Sequence, residues 1–458
     1  MITLTMAELA EVLHGRLVGD GAARFHGVNR DSRTPAPETL FVALQGDRFD
    51  GHDFVGPGLA AAGLLVTREM QDPRPQVVVR DTTTALADLA LFWRGRTSAR
   101  VVALTGSNGK TTTKEMLRAI LAGVGSVHAT QGNLNNHIGV PLTLLAMPEA
   151  LDYAVIEMGA NHAGEIAYLT RCTQPDVALI TNAGRAHLDG FGSVEGVSRA
   201  KGEIYSGLPD SGGVAIVNLD DVFAEYWLWL NAGRKCIGFS LQGLGEVRGV
   251  WHAPDRLTLS IAGDVRELRL GAPGRHAAQN ALAAAAAAHA LDCSIDAIAR
   301  GLGSWRPVAG RMNAYVHASG ARIWDDTYNA NPDSLTAALE VLATYAGTRV
   351  LVLGDMNELG PESRGLHAEM GRHARDLGVT HLLALGEFTT AAVDAFGAGA
   401  TWFPSHAALS RVLAGLLHAD TTVLIKGSRN QHMENILTAF DLCAAGQEPG
   451  GRHAARAG

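Results

Sequence analysis

The stretch from Val101 to Ala122 constrains this chain more than any other. Val101 to Leu104 is an apolar run that reads as a short buried strand, Gly106 and Gly109 allow a tight turn, and Lys110 to Ala122 reads as a helix. A strand, a glycine loop and a helix N-terminus in that order make an anion site, because free backbone N–H groups and the positive end of the helix dipole converge on one spot. Gly106, Ser107, Asn108, Gly109, Lys110, Thr111 and Thr112 are therefore the expected phosphate-binding residues, with Lys110 adding a full charge and Thr111 a hydroxyl of the kind that binds Mg²⁺. The stretch departs from the general G-x-x-x-x-G-K-[ST] pattern, since Leu104 stands where the first Gly belongs. On the loop alone, a glycine turn opening an ordinary helix stays an open alternative.

At 458 residues the chain is too long for one core. Alternating strand and helix patterns predict an α/β protein of three domains, divided at 1–97, 98–310 and 311–446, with a disordered Gly-, Arg- and Ala-rich tail at 447–458. No apolar run is long enough to span a bilayer and no signal peptide opens the chain, which predicts no membrane insertion and a cytoplasmic location. The four cysteines lie without C-x-x-C spacing, which argues against a disulfide framework or a zinc site. A net charge of -8 argues against nucleic acid as partner. It also means that an anionic ligand must be met by local positive charge.

In the first unit, Met6 to Leu13 suits a short helix, and strands are expected at Thr39 to Leu44 and Val77 to Val79. Ser32 and Arg33 lie in a loop that can meet a phosphate or a nucleotide edge, although an Arg in a loop is more often a surface charge. In the second unit, strands are expected at Tyr153 to Ile156, Val177 to Ile180 and Val214 to Val217, each followed by polar residues where a parallel sheet places its ligands. Ala277 to Ala290 reads as an alanine-rich helix packed closely on that sheet. In the third unit, strands are expected at Arg322 to Trp324, Val350 to Leu353 and Val423 to Ile425, with helices from Asp333 to Ala346 and from Met433.

Glu157 ends the strand expected beside the loop strand, a place from which a carboxylate can hold a phosphate-bound Mg²⁺, although position alone fits a solvated strand-end glutamate equally well. His187 follows the next strand end, and a His beside a carboxylate can complete a second metal site, although a lone His is more often structural. Lys201 reads on its own as a solvated helix charge. Asn133, Asn135 and Asn136 read either as turn formers or as amides that bind a substrate.

The residues carry a resemblance to a family. Gly132-Asn-Leu-Asn-Asn-His-Ile-Gly-Val-Pro-Leu-Thr143, Glu157-Met-Gly-Ala-Asn161, the run from Asn182 to Ser193, Gly274-Arg-His276, Asp326-Thr-Tyr-Asn-Ala-Asn-Pro332, Leu353-Gly-Asp-Met-Asn-Glu-Leu-Gly360 and Lys426-Gly-Ser-Arg429 resemble, in order, the motifs of the Mur ligases of peptidoglycan synthesis. That family carries a T-G-[ST]-N-G-K-T-T phosphate loop, which accounts for Leu104. The resemblance implies a small α/β N-terminal domain for the uridine diphosphate end of a substrate, a central P-loop ATPase domain with a mostly parallel sheet, and a Rossmann-like C-terminal domain that closes on ATP. The motifs imply the branch that joins D-alanyl-D-alanine to a UDP-N-acetylmuramoyl-tripeptide through an acyl phosphate.

The roles implied at matching positions are these. Lys110 meets the β and γ phosphates. Thr111 and Glu157 hold one Mg²⁺, with His187 contributing to a metal site. Lys201 falls where many members carry a carbamylated lysine that helps hold a second Mg²⁺. Asn280 reaches the adenine, Arg311 the phosphates and Asp326 the ribose. Ser32 and Arg33 lie near the uridine diphosphate, and Asn133, Asn135 and Asn136 near the peptide or its sugar phosphate. Asp355, Glu358, Lys426 and Arg429 contact the dipeptide. The family pattern is often G-R-H-N-x-x-N, and Ala277 replaces its first Asn here. The family also implies a monomer. Rival readings are a sister Mur ligase, a folylpolyglutamate synthase, or an ATP-hydrolysing scaffold that ligates nothing.

Overall fold

Residues 1–46 and 49–444 are described by the computed structural model, so the expectation for the tail at 447–458 lies outside the described residues. Three mostly parallel sheets carry the chain, as expected for an α/β protein. A five-stranded sheet uses strands between Arg16–Val18 and Gln76–Val78, a nine-stranded sheet those between Arg100–Thr105 and Asp264–Arg269, and a seven-stranded sheet those between Asn313–His317 and Leu442–Ala444.

In the nine-stranded sheet the loop strand Arg100–Thr105 is central, parallel to Tyr153–Glu157 on one side and to Val177–Ile180 on the other. Both neighbours are wholly apolar in their middles because helices cover both faces of the sheet. The register sets Leu104 opposite Glu157 and Thr105 opposite Ile180, so three strand ends open at the same height. Helix Arg275–Ala290 packs on this sheet and on helix Lys110–Leu121. Its alanines are almost all buried, and their small side chains bring the helix backbone close to the strands. The far edge continues through Lys235–Ser240 and Val247–His252 into an antiparallel ladder of Arg256–Ile261 and Asp264–Arg269.

The stretch expected as a first unit is tied into the second. Helix Thr82–Arg94 packs on helices Gly139–Leu145 and Glu165–Thr173. Trp93 Nε1 donates to the Met147 carbonyl at 2.9 Å, and Ile2 N donates to the Leu145 carbonyl at 2.9 Å. One hydrophobic cluster therefore runs from Ile2 and Trp93 through Val101 to Val217 without a break.

In the seven-stranded sheet, Arg322–Asp326 and Thr421–Lys426 lie side by side, with Asp326 opposite Lys426. Helix Pro332–Ala343 opens as expected, with Asn331 as N-cap, and ends three residues before Ala346 because the chain turns at Gly347, whose φ is +82°. The helix expected from Met433 is only Glu434–Leu437, since the chain must turn back to add the edge strand Leu442–Ala444 beside Asn313–His317.

Candidate active site

A cleft of about 1190 Å³ opens at the carboxyl ends of the central and C-terminal sheets. The phosphate loop forms its floor. Gly109 has φ +80°, and a Cβ there would stand 2.1 Å from Asn280 Oδ1, so both conformation and space require glycine. Gly106 is held as tightly, its missing Cβ replaced by the Thr181 hydroxyl. Asn182 and Gly184 strap the loop in place: Ser107 N donates to the Asn182 carbonyl at 3.0 Å, Asn108 N to Asn182 Oδ1 at 3.0 Å, and Gly184 N to Ser107 Oγ at 2.9 Å.

Lys110 Nζ folds back on its own loop, donating to the carbonyls of Gly106 at 2.6 Å and Ser107 at 3.2 Å. Burial lowers its pKa; Glu157 opposes the shift and Arg311 adds to it. Arg311 comes from beyond the central sheet, lies on the Tyr328 ring at 4.1 Å, and donates through Nη2 to Thr111 Oγ1 at 3.0 Å. Thr112 also lines the cleft.

Glu157 is buried at its strand end. Its Oε1 accepts from Asn135 Nδ2 at 2.9 Å, while Oε2 has no hydrogen-bond partner among the described residues and forms a long ion pair with Lys114 Nζ at 3.9 Å. A buried carboxylate oxygen left without a donor is costly unless a cation completes it. Lys201 is the second orphan: its Nζ is buried, makes no hydrogen bond among the described residues, and lies 5.4 Å from the Phe191 ring centre. Burial, with Lys110 adding to it, pushes the Lys201 amine down to about 7. The solvated helix charge that its sequence suggests is therefore wrong: helix Val194–Gly202 turns this residue inward. Among the described residues no group of three His, Cys, Asp or Glu side chains is placed to hold a metal ion. Mg²⁺ asks for less, since it takes one or two carboxylates, hydroxyls and phosphate oxygens.

The C-terminal unit forms the opposite wall. Lys426 Nζ donates to Asp326 Oδ2 at 2.5 Å and to the Asn329 carbonyl at 2.9 Å, so these two expected ligand residues meet each other across adjacent strands. His187, which has φ +55°, places Nδ1 2.5 Å from Glu358 Oε2, joining a residue expected at a metal with one expected at the dipeptide. The His187 ring holds the Glu358 carboxyl below the usual carboxylate range. Arg429, Asn133 and Asn136 also line the cleft.

One residue expected at the dipeptide falls elsewhere, and the two expected at the uridine diphosphate lie in the first unit. Asp355 is not in the cleft: its buried carboxylate accepts the N–H groups of Glu387, Phe388 and Thr389 at 2.8–2.9 Å and caps helix Thr389–Phe396. Ser32 and Arg33 do not line the cleft either, and the Arg33 guanidinium is engaged by both oxygens of Asp31.

Several lining residues were not singled out. Tyr328 supplies the platform under Arg311, and Arg429 lies 5.9 Å from the same ring. Half-buried His276 faces the Asp326–Lys426 pair, and desolvation lowers its pKa. Asn331 Nδ2 donates to Asn108 Oδ1 at 2.8 Å, a direct link from the C-terminal unit to the phosphate loop. All three sit inside quoted motifs, Asp326 to Pro332 and Gly274 to His276, and that was the available signal.

Comparison with known proteins gives the following. Residues 104–288 match the Mur ligase middle domain, and residues 310–429 match the Mur ligase, glutamate ligase domain. The chain is 42% identical to the UDP-N-acetylmuramoyl-tripeptide--D-alanyl-D-alanine ligase of Escherichia coli (strain K12), covering 96% of this chain and 99% of that protein. It is 36% identical to the protein of the same name from Haemophilus influenzae, covering 95% and 98%. A crystal structure of MurF from Acinetobacter baumannii superposes with a TM-score of 0.91 at 36% identity, covering 96% of this chain and 99% of that one. The MurF ligase of Thermotoga maritima in complex with ADP superposes at 0.79 and 27% identity, covering 91% and 97%.

Proposed function

This chain belongs to the Mur ligase family, and we propose that it joins D-alanyl-D-alanine to UDP-N-acetylmuramoyl-tripeptide with ATP, as a monomer in the cytoplasm. The observation that carries this reading is the convergence, in one cleft, of a phosphate loop, a buried carboxylate oxygen on Glu157 that accepts no hydrogen bond among the described residues, and the cationic wall of Arg311 and Lys426.

The terminal carboxylate of the tripeptide attacks the γ-phosphorus of ATP, the bond to ADP breaks, and an acyl phosphate forms. The dipeptide amine then attacks the acyl carbon and phosphate leaves. Both first reactants are anions, so the site must supply positive charge where the attack occurs. Lys110 does so by exchanging its loop carbonyls for β and γ phosphate oxygens, with backbone N–H groups of the loop beside it. Arg311 adds a second cation at Thr111. Asn280 and the Ala277 surface take the base, and Asp326, held by Lys426, takes the ribose.

Thr111 and Glu157 would hold one Mg²⁺, which neutralises charge on the phosphate oxygens when bound. His187 and a carbamylated Lys201 would serve a second. The Lys201 surroundings fit that modification: an amine pushed down to about 7 is neutral in about half of the molecules near pH 7, and the neutral form is the one that adds CO₂. The strands and loops of residues 1–97 would take the uridine diphosphate end, with Ser32 and Arg33 near it. Asn133, Asn135 and Asn136 face the peptide arm, and Glu358 and Arg429 face the dipeptide. Contact between the two walls keeps the acyl phosphate from water.

Mass spectrometry of a mixture of the chain, ATP, Mg²⁺, the tripeptide nucleotide and D-alanyl-D-alanine tests the proposal. The expected product is the pentapeptide nucleotide, formed with equal ADP. A full turnover of ATP without that product contradicts it.

A further inference from the structure

The loop after Val177–Ile180 does more than strap the phosphate loop. Its Arg185 reaches out of the central unit into the C-terminal one. Arg185 Nε donates to Asp333 Oδ1 at 2.8 Å, its backbone N–H donates to Asp333 Oδ2 at 2.6 Å, and Nη1 donates to Glu369 Oε1 at 2.8 Å. Asp333 stands in the first turn of helix Pro332–Ala343, and Glu369 lies on helix Ser363–Asp376. One residue earlier, Gly184 packs so tightly on Asp333 that a Cβ there would stand 2.4 Å from its carboxylate. The same loop donates to the phosphate loop from Gly184, while Asn331, two residues before Asp333, donates to Asn108. Arg185 is thus bonded at one end to the segment that fixes the phosphate loop and at the other to two helices of the facing wall.

We propose that Arg185 is a positioning residue that holds the C-terminal unit closed over the phosphate loop and so sets the affinity for nucleotide. Arg suits this task because its planar fork meets two carboxylates at once. The side chain is 31% exposed, so the pair with Glu369 is partly screened, and the firmer hold is on Asp333. In the proposed placement ATP touches both walls, the phosphate loop on one and Arg311 and Asp326 on the other. A loosened latch lowers the closed fraction, and apparent nucleotide affinity falls by that fraction while saturated turnover survives. The kinetic part of this proposal rests on the ligase reading; the binding part does not.

The test compares the full-length enzyme with Arg185→Ala, Arg185→Lys and Glu369→Ala. Calorimetry measures binding of a non-hydrolysable ATP analogue with Mg²⁺, small-angle scattering measures the ligand-free radius of gyration, and steady-state kinetics separates KM for ATP from kcat. Arg185→Ala is expected to bind the analogue roughly 10-fold more weakly, to be more extended without ligand, and to keep kcat within about twofold at saturating ATP. Arg185→Lys should recover part of the affinity. Unchanged affinity and scattering in Arg185→Ala overturn the proposal, and so does a fall in kcat at unchanged KM. If Arg185→Ala does not fold, Glu369→Ala decides, because Arg185 is the only ion-pair partner of Glu369 among the described residues. An affinity loss of about threefold supports the latch, and unchanged binding overturns it. Absence of ligation in every variant and in the parent would instead strike the ligase reading and leave the binding comparison intact.

Discussion

Lys110 and Lys201 are both amines drawn into the site, and the sequence treats them very differently. Lys110 follows two glycines at the start of a helix, so its direction and its ligand can be read from order alone. We expect Lys110→Ala to lower ligation by at least ~100-fold while circular dichroism and melting stay near the parent, since the lost group is electrostatic. Lys201 sits among polar residues, and nothing local distinguishes an inward lysine from a solvated one; only the placement of helix Val194–Gly202 decides. Its pH behaviour follows from burial. With the folded pKa down at about 7 and the ordinary value near 10.5, the unfolded chain binds more protons between those values, so stability from this group rises with pH across that window. Below about 7 the buried charge is a full cost. With Lys201 unmodified, in CO₂-depleted buffer without Mg²⁺, Lys201→Met should therefore gain stability over the parent most at pH 6 and least at pH 9; melting curves at the two pH values check the sign. Position past a strand left Glu157 divided between a solvated carboxylate and a metal ligand, and burial in the cleft removes the first reading. Asp355 looked the same in sequence, yet it caps a helix from a neighbouring loop, a partnership that only tertiary structure creates.

At the level of elements, the buried parallel strands were the easiest to read. Runs such as Val177 to Ile180 are apolar on both faces, and the polar residues that follow each one mark the ligand side of the sheet. The ladder from Val247–His252 to Asp264–Arg269 was passed over, although Leu257, Leu259 and Ile261 alternate with polar residues as a one-sided strand should. Its strand ends carry His252, Arg256, Asp264 and Arg269, but none of these lines the cleft. Two element-scale outcomes follow. Gly109→Ala forces a left-handed φ on a residue with a Cβ and drives it into Asn280, so it should cost roughly 1–3 kcal/mol and abolish nucleotide binding, measured by urea unfolding and calorimetry. Asp355→Ala strips three N–H groups of their acceptor and should destabilise by roughly 2–3 kcal/mol in urea, while the folded fraction keeps near-parent KM values because the side chain lies outside the cleft.

For the whole molecule, a net charge of -8 is not reversed at the site as a whole. Lys110, Arg311, Lys426 and Arg429 line the cleft together with Glu157, Glu165, Asp326, Asp333 and Glu358, so the positive charge is placed residue by residue and not as a basic patch. The units meet through Arg185, through Asn331 on Asn108, through Arg311 on Thr111 and through His187 on Glu358. None of these pairings can be read from spacing, because each joins residues more than a hundred positions apart. The continuous core from Ile2 to Val217 was equally hidden, since the boundary expected near residue 97 marks a change of sheet and not a change of core. The measurement that tests the central claim most directly is phosphate release from ATP, with UDP-N-acetylmuramoyl-tripeptide and D-alanyl-D-alanine supplied separately and together. Sustained release only when both are present is the result expected of a ligase that shields its acyl phosphate. Release at the same rate without the dipeptide would contradict it.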